Sequence, residues 1–193
     1  AVPLSVRVSG YGQVTIENRA REAVPQVILF ENRGGRMGYR IAGPIEGALA
    51  LDEPVLDADF SQLRHDLETG LIAQGLYPKE ARAMLETWRD SWFEEGSRLI
   101  YIVPSPAVDA ILPLQVEPAP LETVRVFVGR IELVTPETRQ AVESAIAKND
   151  WPAVDRYSRF LAPILKRIYP GNPSKSGEME QVAKFRESSG GCR

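Results

Sequence analysis

Apolar and polar residues alternate at the start of the chain. Leu4, Val6 and Val8 are separated by Ser5 and Arg7, and Val14 and Ile16 by Thr15. A period of two predicts strands with one buried face, joined as a hairpin through Gly10-Tyr11-Gly12. Val27-Ile28-Leu29-Phe30 is an unbroken apolar run, the pattern of a strand covered on both faces. Asn32-Arg33-Gly34-Gly35-Arg36 supplies turn residues that tolerate positive φ, and a further strand is predicted from Met37 to Ile41. Residues 43–58 have no period and are broken by Gly43-Pro44, Gly47 and Asp52-Glu53-Pro54, so they predict irregular chain.

Beyond Asp59 the period lengthens. Leu63, Leu67, Leu71 and Ile72 have helical spacing. Asp59 suits the N-cap, with Gln62 three residues on as in a capping box, and Gly75 marks the stop. Pro78 suits the first turn of a second helix that runs to Glu95 and ends at Gly96. Leu99 to Val103 reads as a central strand. Pro104, Pro106, Pro113, Pro118 and Pro120 then predict short strands and turns at a sheet edge over 104–120.

Glu122 to Val134 reads as a long strand with a phase change. Val124, Val126 and Val128 share one face, while Ile131 and Leu133 fall on the other, so a bulge is expected near Gly129. Thr135-Pro136-Glu137 starts a helix that runs to Lys148. Asp150-Trp151-Pro152 starts another, with its apolar stripe kinked at Pro163. From Pro170 the chain is polar, without period and rich in Gly and Ser. Alone it reads as disordered, and in an assembly as a tail that a partner holds.

These elements predict an α+β class: a mostly antiparallel sheet or sandwich from residues 4–42 and 97–134, an inserted helical pair over 59–95, and a C-terminal helical pair over 136–168. They predict a single domain over 1–169, followed by the polar tail 170–193.

Composition changes this picture little. The 193 residues are 44% hydrophobic and 25% charged, enough to bury a core without disulfides. A net charge of -3 offers no electrostatic case for nucleic acid. No apolar run approaches the ~18–20 residues needed to span a bilayer. Cys192 is the one cysteine, so no internal disulfide or thiol pair exists. The chain opens Ala1-Val2-Pro3 and its first fifty residues have neither lysine nor cysteine. Those features favour a mature exported protein, periplasmic or secreted.

Candidate chemistry concentrates on the second helix. Ala81, Leu85, Trp88 and Trp92 share one face. Large aromatics on such a stripe form either core or, at a domain edge, a platform for a sugar or peptide. Glu86, Asp90 and Glu94 form a neighbouring acidic row at i, i+4 and i+8. Two carboxylates facing one space are what glycoside hydrolysis needs. Arg82 and Arg89 beside Glu86 favour a solvated charged face instead. His65 is the sole histidine, and no Gly-x-Ser-x-Gly elbow exists, which argues against zinc and triad designs. No metal or cofactor is expected. Arg125 and Arg130 flank Gly129 and are candidates to clamp an anionic ligand.

Val14-Thr15-Ile16-Glu17-Asn18 followed by Val24-Pro25-Gln26-Val27 resembles the opening strands of bacterial extracytoplasmic β-sandwich modules. The resemblance spans residues 4–42 and implies a sandwich-type start. From Leu76 to Pro136 the chain is similar to bacterial envelope proteins that bring no activity with them. The functional expectation is a non-enzymatic exported interaction domain or assembly subunit, docking on a protein partner through residues 170–193. The alternative is a carbohydrate-binding module or glycan hydrolase that uses the helix at 81–95.

Overall fold

The computed structural model describes residues 4–157 and 160–170. The chain forms two compact units, divided between Leu133 and Val134. The expected docking tail and Cys192 lie outside the described residues.

The first unit is built on two antiparallel sheets. β1 (Leu4–Val8) pairs with β2 (Val14–Asn18), and β5 (Ala48–Leu51) adds to the far side of β2. β3 (Val27–Arg33), β4 (Arg36–Ala42), β6 (Gly96–Val103) and β7 (Phe127–Leu133) form a second sheet in the order β4-β3-β6-β7. β5 falls within the stretch expected to be irregular. Its Leu49 and Leu51 stand opposite Ile16 and Val14, but four residues with two alanines are too few to carry a visible period.

The second sheet is covered on both faces. Val27 and Leu29 of β3, with Leu99 and Tyr101 of β6, pack against Leu4, Val14 and Ile16 of the first sheet. Ile28, Phe30, Ile100 and Ile102 face the helices. The unbroken apolar run of β3 therefore serves two cores, one residue at a time.

The helical layer is α1 (Phe60–Ala73) and α2 (Pro78–Trp92). Asp59 caps α1 by accepting from the Ser61 N–H at 2.9 Å. The reciprocal half of the expected capping box is absent, since Gln62 donates to Asp66 instead. At α2 the Glu80 carboxylate accepts from the Tyr77 N–H at 2.9 Å. Leu63, Leu67 and Leu71 of α1, and Ala81 and Leu85 of α2, complete the helix-side core. Burying each leucine is worth about 1.5–3 kcal/mol.

Two expectations for residues 104–134 are corrected. Residues Ser105–Ile111 form a helix, α3, rather than an edge strand. Pro106 lies in its first turn, where a proline lacks nothing the helix needs. β7 is shorter than expected and pairs with β6 in unbroken register from Val103↔Phe127 to Ser97↔Leu133, with no bulge. The apolar phase switches because the helix-facing side of β7 turns polar at Arg130 and Glu132, while Ile131 and Leu133 face the other sheet. Gly129 is needed for space: a Cβ there would lie 2.2 Å from Cζ of Tyr101, whose ring crosses the strand.

The second unit holds α4 (Pro136–Ala147), α5 (Trp151–Asp155) and α6 (Leu161–Ile168). Thr135 and Asp150 cap α4 and α5. Val142, Ile146, Val154, Leu161, Ile164 and Leu165 form its core. The expected kinked helix is two helices, and Pro163 sits in the first turn of α6, where no intrahelical N–H bond is required.

Candidate functional site

The end of α2 is where the candidate residues gather. The last carbonyls of a helix have no intrahelical partner. Here the chain turns at Gly96, with φ +110°, directly into β6. Arg98, two residues on, is fully buried and points back under the helix. Its guanidinium donates to the carbonyls of Trp92 at 2.9 Å and Glu95 at 2.6 Å, and also to that of Glu94. Asn32 of β3 donates to the carbonyl of Phe93, the C-cap residue, at 2.9 Å. A buried arginine and an asparagine from the sheet thus cap the helix.

The charge is balanced on the same face of the sheet. Nε of Arg98 lies 3.2 Å from the Glu132 carboxylate, directly across the β6–β7 ladder. Glu132 also accepts from Arg130, and Arg130 reaches Glu94, just past the end of α2, at 2.9 Å. Burial pulls the Arg98 pKa down to about 10, against the opposing pull of Glu132, so the group is charged at neutral pH. Two guanidiniums and two carboxylates alternate, and the guanidinium of Arg98 lies 5.5 Å above the Phe30 ring.

The acidic row does not converge. Glu86 pairs with Arg64 of α1 at 3.5 Å, whereas Glu94 turns to β7. Asp90 is exposed and borders a cleft of about 310 Å³ with Met37, Phe60, Arg89, Phe93 and Glu94. The two tryptophans also part. Trp92 is buried edge-on to Phe93, while Trp88 is 48% exposed. Arg125 lies before β7, paired with Asp109 at 3.3 Å and 5.8 Å above the Phe127 ring. Arg125 and Arg130 thus sit in separate ion pairs rather than in one clamp. Among the described residues no cluster of three or more metal-ligating side chains occurs.

A larger cleft, about 460 Å³, lies between the end of α1, the chain that enters β3 and the end of β4, and is bordered by Gln26, Gly43, Asp66 and Thr69. Its carboxylate is engaged: Tyr39 donates to Asp66 at 2.6 Å and Gln62 donates at 2.9 Å. Burial, followed by the Asp66 bond, pushes the Tyr39 pKa up to about 12.

The other conspicuous feature is a strap. Every residue from 109 to 124 is exposed, and Ile111, Leu112, Leu114, Val116, Leu121 and Val124 are large and apolar. Leu121 is fully exposed, at 109%. Among the described residues, none from 113 to 126 makes a backbone–backbone hydrogen bond. Both ends are pinned. Val108 of α3 is buried at one end, and Val126 enters the helix-side core at the other. The Arg125–Asp109 pair ties the two together.

Sequence reasoning missed Arg98 and the strap. A single arginine at the head of Leu-Ile-Tyr-Ile-Val was the signal for the first. For the second it was apolar residues spaced among prolines too closely to form core strands.

No known family, characterised protein or solved structure matches the chain. Among the described residues, no helix is long and apolar enough to cross a membrane.

Proposed function

We propose that this protein is a non-enzymatic docking domain, an exported subunit of a protein assembly, and that the strap at 109–124 is its docking element. The observation that carries this reading is sixteen consecutive exposed residues, six of them large and apolar, pinned at both ends to a packed core. Burying apolar surface is the main favourable term in association, and a contiguous exposed apolar segment is the feature that marks an interaction surface. The hydrolase alternative gains no support from the acidic row, since Glu86 and Glu94 are drawn to different partners.

Native mass spectrometry of material purified gently from its source tests this reading. A larger assembly is expected, and the double substitution L114S/L121S abolishes it while leaving the unfolding transition unchanged. A monomer with no partner contradicts it.

Exposure of Trp88 on α2 favours a second reading, a carbohydrate platform. A shift of tryptophan emission with an oligosaccharide, lost in Trp88→Phe, is its test.

A further inference from the structure

We infer that the strap receives a partner segment which combines large apolar side chains with lysine or arginine. This rests on the docking reading above and adds the chemistry of the partner. The strap's charge is one-sided. Asp109, Glu117 and Glu122 lie within it, and the adjoining Arg125 is committed to Asp109. That leaves Glu117 and Glu122, both exposed, to set the electrostatic character of the apolar surface between and around them.

Charge of one sign at an interface selects its opposite and repels its like. A second copy docked about a twofold axis through this segment sets the glutamates of one copy against those of the other, which disfavours self-association. An anionic lipid surface is repelled in the same way. A cationic apolar segment satisfies both parts of the surface. Its side chains cover Leu114, Val116 and Leu121, and its cations meet Glu117 and Glu122. The unbonded backbone of 113–126 adds donors and acceptors for an extended partner, as in other modes of peptide recognition. Pro113, Pro118 and Pro120 have no N–H, so this backbone offers such a partner more acceptors than donors.

The test uses the full chain and two synthetic peptides, one of leucine and lysine and the other of leucine and glutamate, with binding read by fluorescence anisotropy. Saturable binding is expected for the lysine peptide, about tenfold or more tighter than for its glutamate counterpart, and weaker as salt is raised. L114S/L121S should weaken it about tenfold, and E117K/E122K should reverse the preference between peptides. Equal binding of both peptides, binding of neither, or an unchanged preference in the charge-reversed variant overturns the inference. So does concentration-dependent self-association that L121S removes, or binding to vesicles of neutral and anionic phospholipid. If a native assembly depends on Leu114 and Leu121 while the lysine peptide fails to bind, the docking reading stands and its charge assignment falls.

Discussion

Arg98 and Glu132 face each other across the β6–β7 ladder, with Nε of the fully buried guanidinium 3.2 Å from the carboxylate. The same guanidinium closes the end of α2. Removing it leaves Glu132 its bond to Arg130 but strips the carbonyls of Trp92, Glu94 and Glu95 of their donor, and with the lost buried pair this should cost about 3–5 kcal/mol. Arg98→Met is therefore expected to lower stability by about that amount in urea denaturation. Arg98→Lys is expected to fall well short of rescue, because one ammonium cannot reproduce the planar fork. A loss under about 1 kcal/mol for Arg98→Met contradicts the capping role.

Tyr39 gives a signature in alkali. Its pKa is pushed from 10.0 up to about 12, first by burial and then by its bond to Asp66. The folded protein holds this proton to higher pH than the unfolded chain. The associated stability is complete below pH 10 and is lost as pH rises toward 12. Ultraviolet titration of tyrosinate should show a late-ionising tyrosine that disappears in Tyr39→Phe. Asp66→Asn should bring it part of the way back, because burial persists. Tyr101, also raised by burial, stays in both variants.

Gly129 is expected to resist any side chain. Gly129→Ala places a methyl 2.2 Å from Cζ of Tyr101 and should destabilise by about 1–3 kcal/mol. The double substitution with Tyr101→Leu should cost less than the two single changes together, as expected of residues that share one space. Strict additivity in thermal unfolding contradicts this packing.

The two tryptophans of α2 should separate cleanly. Trp92→Ala removes a buried ring and is expected to cost about 3–5 kcal/mol. Trp88→Ala, at a surface position, is expected to stay within about 0.5 kcal/mol. In acrylamide quenching, Trp88→Phe should remove most of the accessible emission from α2. Equal protection of the two rings contradicts the helix orientation.

The sequence made the core legible and the exceptions obscure. The run at Val27 to Phe30 declared a two-faced strand because each face has its own apolar partner. Asp59 declared a cap because a side-chain oxygen beside free amides is a local matter. Periodicity failed where tertiary contacts decide. Arg98 lies in an apolar strand because it spans to the helix end, and Gly129 is fixed by a ring from the neighbouring strand. Trp88 and Trp92 sit on one nominal stripe, but the helix-side core reaches only the second. The strap was misread because apolar residues were assigned to strands, whereas the structure leaves them in solvent.

The most direct measurement places a photo-crosslinking side chain at position 121 and, as a control, at Tyr11, which is 98% exposed on the β1–β2 turn. Irradiation in the source cells should give a discrete adduct from position 121 and none from position 11. Adducts of equal yield at both positions, or none at either, contradict the strap as the docking element.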